Sequence, residues 1–302
     1  MIVNKIIEQV EFKRQRGIVF AAGGAGDIIL AKNIGKNLIE RGCSQVDLAQ
    51  PLNCRTLSEK DLLGEAGEFY ALKPEQGLDS ESVLRHFANI PCENHSVKRK
   101  AKGLSISSSL EWGHGARYVC AAHGDGLSLL AARKEGCDSF YDFAIGVDGG
   151  GDVLTHDKEE FDCIVLDSFT SAWDTTLPLI LVAMGLGADG GSTPSDFQDV
   201  SLDGWLQLMS ASVDDDFVES LKIELESLDL WHPHPSEWNK NDPHWGYGLK
   251  VAQIIALAVK NKFPFDSMEK DSNLVVFPRR RELKLMDKRL LCEARMFLYQ
   301  GG

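Results

Sequence analysis

Aspartates set among glycines are the residues of this chain most suited to chemistry. Gly23-Gly24-Ala25-Gly26-Asp27 follows an apolar run, Ile18 to Ala22, and precedes a helical pattern, Ile28 to Arg41. Glycines leave the main chain bare enough for a ligand to approach its N–H groups. A helix start adds partial positive charge, so an anion is the first ligand to consider. Asp27 opposes a bare phosphate and calls for a cation or a hydroxyl between the two. Gly146-Val147-Asp148-Gly149-Gly150-Gly151-Asp152 repeats the theme with two carboxylates around three glycines. Carboxylates grouped in this way suit Mg²⁺, which takes oxygen ligands and keeps several waters. They equally suit sugar hydroxyls or an amine, or turns in which each Asp bonds its own backbone. Gly185-Leu186-Gly187-Ala188-Asp189-Gly190-Gly191 is a third, more permissive instance.

Histidine supplies the candidates for proton transfer, since imidazole titrates near neutrality. His123 stands beside Gly124-Asp125-Gly126 after the apolar run Ala116 to Ala122, and His114 lies between Gly113 and Gly115. His232, His234 and His244 lie among Trp231, Trp238 and Trp245, where prolines and the lack of a helical His pair favour an aromatic loop over a metal site. The Gly23–Asp27 loop lacks the Gly-x-Gly-x-x-Gly spacing and the Walker Lys-Ser/Thr, and the chain has no Gly-x-Ser-x-Gly elbow. The leading assignment gives ligand contacts to Gly23, Gly24, Gly26, Asp27, Gly149, Gly150, Gly151, Asp189 and Gly190. It gives metal ligation to Asp27, Asp148 and Asp152, and catalytic roles to His123 and Asp148.

Positioning these loops requires strands that end together. Ile18–Ala22, Ala116–Ala122, Tyr141–Val147 and Leu177–Met184 are continuous rather than alternating apolar runs, as in strands buried on both faces of a parallel sheet. Loops after such strands share one edge, where ligands bind. Val46 to Ala49 is a weaker strand. The expected fold is α/β: a Rossmann-like, mostly parallel sheet flanked by helices. Residues 1–302 read as one domain, with a Gly/Asp-loop core over 1–191 and a more helical portion over 192–302 that completes or caps it. Met1 to Arg16 reads as an amphipathic helix with Ile2, Ile6, Ile7 and Val10 on one side. Ser80 to Phe87 reads as a helix within an otherwise irregular stretch, Cys54 to Gly103. A helix start is expected at Ser192 to Asp196, helices at Asp214 to Leu228 and from Asp242 through Val259, a strand at Asn273 to Phe277, and a final helix at Leu283 to Leu298.

Composition narrows the function classes. The 302 residues are 43% hydrophobic and 25% charged, with a net charge of −13. That balance argues against a nucleic-acid or anionic-membrane binder, both of which need a basic face. Lys98-Arg99-Lys100 and Arg279-Arg280-Arg281 are short basic runs of the kind that solvated surfaces carry. The longest apolar run, Leu177 to Ala188, is shorter than the roughly 20 residues of a bilayer span. Seven dispersed cysteines without a Cys-x-x-Cys pair point to reduced thiols and a cytoplasmic protein. A homo-oligomer is left open.

The three Gly/Asp motifs, in this order and at these intervals over the first two thirds of the chain, resemble an uncharacterised family of bacterial and archaeal proteins, numbered 1152 among the domains of unknown function. The resemblance implies an α/β cytoplasmic protein with a Gly/Asp-lined site and no assigned activity. The middle motif is also similar to the Asp-Gly-Gly segment of glutamate cyclases. Three functions follow as expectations. The first is an enzyme on a small anionic metabolite, a nucleotide or sugar phosphate, with Mg²⁺. The second is an amino- or hydroxy-acid lyase or cyclase without phosphate. The third is a non-enzymatic sensor or a scaffold whose glycine loops are turns only.

Overall fold

The computed structural model describes residues 2–9, 15–23, 25–51, 69–72, 118–121, 141–155, 161–170, 173, 176–188, 192–227, 231, 249–260, 274–279 and 282–301. In chain order its elements are α1 (Ile2–Gln9), β1 (Arg16–Ala21), α2 (Ala25–Glu40), β2 (Gln45–Pro51), β3 (Phe69–Leu72), β4 (Tyr118–Ala121), β5 (Phe143–Gly149), a 3₁₀ turn (Asp152–Leu154), α3 (Phe161–Thr170), β6 (Leu179–Met184), a second 3₁₀ turn (Pro194–Phe197), β7 (Trp205–Ser212), α4 (Asp215–Ser227), α5 (Leu249–Val259), β8 (Leu274–Arg279), β9 (Glu282–Asp287), α6 (Lys288–Leu291) and β10 (Glu293–Tyr299).

Eight strands form one sheet in the order β3-β4-β2-β1-β5-β6-β10-β7, and β8 and β9 form a separate antiparallel pair. The run β4-β2-β1-β5-β6 is parallel throughout. β3 and β10 pair antiparallel at its two flanks, and β7 joins outside β10.

The central strands are apolar on consecutive residues because both faces are covered. On one face Val19, Ala21, Ile145, Val147, Ile180 and Val182 join the core formed with α2, α4 and α5. On the other, Ile18, Phe20, Ala144, Leu179 and Leu181 join Phe169, Trp173 and Phe197. Phe20 stacks on Phe169 at 4.1 Å between centroids, and Phe169 stacks on Trp173 at 5.5 Å.

Between β1 and β5 the packing is reciprocal. Gly17 stands opposite Phe143, and Gly146 opposite Phe20. A Cβ on Gly17 would lie 2.0 Å from the Phe143 ring, and one on Gly146 would lie 2.7 Å from the Phe20 ring. Each ring occupies the space that the glycine across from it leaves bare. Sliding β1 by one residue would set both rings against side chains.

A buried polar seam joins α2 to α4. The Lys32 ammonium pairs with the Glu224 carboxylate, their side chains 6% and 10% exposed. Asn33 Nδ2 donates to the Phe217 carbonyl at 3.1 Å, and Ser220 Oγ donates to Asn33 Oδ1 at 2.6 Å. Burial lowers the Lys32 pKa to about 8 against the opposing pull of Glu224.

Several expectations correspond to observed elements: β2 around Val46–Ala49, β4 within Ala116–Ala122, α4 near Asp214–Leu228 and β8 near Asn273–Phe277. The helix start at Ser192–Asp196 is a 3₁₀ turn capped reciprocally by Thr193 and Asp196. The final helix expected over Leu283–Leu298 is incorrect. This stretch is β9, the single turn α6 and β10. Ala294 and Met296 take core positions at period two, with Glu293 and Arg295 between them only partly buried. β10 thereby brings the last part of the chain into the large sheet, beside the helices α4 and α5. The helix expected at Ser80–Phe87 lies outside the described residues.

Two outcomes follow. Gly17→Ala should lower stability by about 1–3 kcal/mol, the range for overpacked cores, and Phe143→Leu in the same chain should restore part of it in urea unfolding. Lys32 gives a pH dependence. The unfolded chain holds more protons on this residue than the folded chain between about pH 8 and the ordinary lysine value of 10.5, so its contribution to stability rises across that window. Urea midpoints taken at both ends should show this rise in the wild type relative to Lys32→Met. Equal pH profiles for the two proteins would refute it.

Candidate functional site

The first loop is shorter than its sequence suggests. α2 begins at Ala25, so Gly26 and Asp27 belong to its first turn rather than to the connection from β1. Ala22 N donates to the Val147 carbonyl at 2.8 Å, which carries the β1 backbone one residue further along β5. Gly23 and Gly26 are buried. Gly24 lies outside the described residues.

Asp27 is 4% exposed and turns toward the end of β5. Its Oδ1 accepts the Gly149 N–H at 2.9 Å. Asp148, one residue earlier on β5, is fully buried, and its Oδ2 accepts the Val153 N–H at 3.2 Å. That bond folds the chain into the 3₁₀ turn that Asp152 begins. Asp152 is half-buried. Its carbonyl accepts from Thr155 N at 3.1 Å and Thr155 Oγ1 at 2.8 Å. One oxygen each of Asp27 and Asp148 therefore serves a backbone amide within the protein.

The second and third glycine loops interlock. Gly150 N donates to the Met184 carbonyl at 2.9 Å, and the Gly150 carbonyl accepts from Gly187 N. Gly151 and Gly187 have φ of +88° and +80°, a region that side chains disfavour. Their bare α-carbons are covered from within. A Cβ on Gly151 would meet Leu186 and Phe197 at 2.8 Å, and one on Gly187 would meet the Met286 methyl. At Gly149 the neighbours are Leu30, the Asp27 carboxylate and Val251, all under 3.0 Å from a Cβ. The glycines thus permit close approach, and at these three positions the approaching groups belong to the chain itself.

The C-terminal segment closes the third loop. Gly185 N donates to the Glu293 carbonyl at 2.9 Å, and Leu186 N to the Leu290 carbonyl at 3.0 Å. Asp287 caps α6 by accepting from Arg289 N at 2.8 Å, and the Arg289 guanidinium holds the Asp287 carboxyl below the usual carboxylate range. Phe197, Val251, Met286 and Leu290 were not singled out from the sequence. Their only signal is apolar character, which does not reveal which loop a residue packs against.

The Gly23, Gly149 and Gly185 loops therefore meet at the carboxyl ends of β1, β5 and β6. The loop with His123 comes after β4 in the sequence and lies outside the described residues, as do His114, His232, His234, His244, Asp189 and Gly190. Among the described residues no group of three or more His, Cys, Asp or Glu is arranged to hold a metal ion. No helix among them is long and apolar enough to cross a membrane. Comparison with protein-family models and with curated proteins finds no match to this chain.

Asp27 offers a direct test of what its carboxylate does. Asp27→Ala strands the buried Gly149 N–H and should cost about 1–3 kcal/mol. Asp27→Asn keeps an oxygen acceptor and should recover most of that loss in thermal unfolding. Equal destabilisation by both would show that the negative charge, not the hydrogen bond, is what the fold requires there.

Proposed function

We propose that the chain is a Rossmann-like α/β enzyme that binds a small anionic metabolite, a nucleotide or sugar phosphate, where β1 and β5 diverge. The observation that carries this reading is strand order. Numbered among themselves along the chain, the parallel strands run third, second, first, fourth, fifth across the sheet. Doubly wound sheets of this order bind ligands beyond the carboxyl ends of their strands, where the winding reverses. Here that point is the β1/β5 boundary, and Gly23, Gly26, Asp27, Asp148 and Gly149 all stand beside it.

In this reading the amides of the Gly23–Gly26 turn take the anion, and Gly149–Gly151 with Asp189 and Gly190 line the remainder. Asp27, Asp148 and Asp152 are the residues that would hold Mg²⁺, which neutralises phosphate oxygens when bound; they do not form a three-carboxylate group as they stand and would have to draw together around the ion. Asp148 and His123 would move protons. Cytoplasmic location and kinship with the 1152 family belong to the same proposal.

A second reading has a specific observation in its favour. Asp27 and Asp148 bond inward to backbone amides and are almost wholly buried. That is the arrangement expected of a scaffold or non-catalytic sensor whose glycine loops are turns.

A thermal-shift screen of nucleotides, sugar phosphates and amino acids, with and without Mg²⁺, separates the readings, because a ligand of the native state raises its melting point. The enzyme reading expects a phosphate ligand to raise Tm, chelator to reverse the rise, and Asp148→Ala to remove it while remaining folded. A rise with amino acids alone, indifferent to chelator, would favour the lyase or cyclase reading. No shift with any anion under either condition would sink phosphate binding at this edge.

A further inference from the structure

We propose that Lys32 and Glu224 are positioning residues for Asp27: their ion pair holds α2 at the rotation that sets the Asp27 carboxylate on the Gly149 amide. α2 is gripped from two sides. Toward β5 it presents Asp27, whose Oδ1 accepts the Gly149 N–H at 2.9 Å, and Leu30, whose Cδ1 would lie 2.6 Å from a Cβ on that glycine. Toward α4 it presents Lys32 and Asn33, bonded to Glu224, Phe217 and Ser220. At about 100° per residue, Lys32 and Asn33 stand about 140° and 120° round the helix axis from Asp27, one on each hand. The two grips therefore oppose each other across the helix.

Directional bonds are needed because apolar contact is not directional. Ile29, Leu30, Ala31 and Ile34 stay buried through a small turn of the helix about its axis. The Asp27 bond does not survive one. Side-chain tips ride about 5–6 Å from a helix axis, so a turn of about 10° carries a carboxylate about 1 Å. That displacement takes the 2.9 Å bond to Gly149 out of hydrogen-bond range. The ion pair and the two Asn33 bonds resist the turn from the far side, where they are as sensitive to it as Asp27 is. The pair lies five residues from Asp27 and acts on it through the rigid helix. Ligand-contacting groups work when held within about 0.5 Å of their productive place. The consequence for a ligand rests on the phosphate reading: if Asp27 lines that site, the α2–α4 seam sets its affinity.

Amide hydrogen exchange read residue by residue in the full chain tests the proposal. Lys32→Met/Glu224→Met removes the pair without leaving one charge buried, a replacement that folds commonly tolerate. The expected result is a Gly149 amide that exchanges at least about tenfold faster through local opening, while Ile145, in the middle of β5, exchanges as in the wild type. Ser220→Ala keeps both charges and loses one bond of the seam, so it should give a smaller acceleration at Gly149; it decides the matter if the double variant does not fold. Gly149 exchange that is unchanged in the folded variants, or that rises only in step with Ile145, would overturn the proposal. Inorganic phosphate with Mg²⁺ supplies the separate ligand arm. A rise in Tm that shrinks in the double variant supports the link to the site, and an equal rise in both proteins overturns that link. No rise in the wild type would count against the phosphate reading and not against the positioning role, which the Gly149 amide decides.

Discussion

Register between β1 and β5 is the constraint on which the rest of this structure depends. It is set by two aromatic rings lying over two glycines, Phe143 on Gly17 and Phe20 on Gly146, one toward each face of the sheet. Because the strands cannot slide, the first turn of α2 arrives opposite the last residue of β5. Asp27 then reaches the Gly149 amide, and Asp148 is left to organise the turn that follows. The candidate site thus inherits its geometry from apolar packing several residues away.

The helix that carries Asp27 is fixed at a second point. Lys32 and Asn33, in the middle of α2, bond to Glu224, Phe217 and Ser220 of α4. Removing one member of a buried ion pair costs far more than replacing both with apolar groups. Polar groups here specify which face of α2 meets α4, a choice that apolar contacts alone would leave loose. The first turn is consequently held at one end by a carboxylate-to-amide bond and along its length by this seam.

Much of this was legible in the sequence where one physical rule dominated. The unbroken apolar runs at Ile18, Tyr141 and Leu177 became β1, β5 and β6 because burial on both faces leaves no polar alternation. The meeting of three glycine loops followed from strands that point the same way. What was not legible depended on partners distant in the chain. Over Leu283–Leu298 the apolar residues satisfy a helical spacing as well as two short alternating strands, and only pairing selects the strands, β9 with β8 and β10 with β6 and β7. β7 itself gave little signal, since the adjacent apolar pairs Trp205-Leu206 and Leu208-Met209 break the alternation by which strands are found. At Gly149, Gly151 and Gly187 the glycines signalled close approach, but not that Leu30, Val251, Phe197 and Met286 were the approaching groups. Nor did the pattern show that Gly26 and Asp27 lie inside α2.

The position of β10 between β6 and β7 bears on how the protein is made. β7 touches the sheet through β10, the strand that leaves the ribosome later. Translation at about 5–20 residues per second puts on the order of ten seconds between the synthesis of the two. For that interval an uncharged strand waits with both edges open, while the parallel core beside it already has the residues it needs to form. The nascent chain is therefore most exposed to mispairing late in its synthesis, after most of its core has been translated.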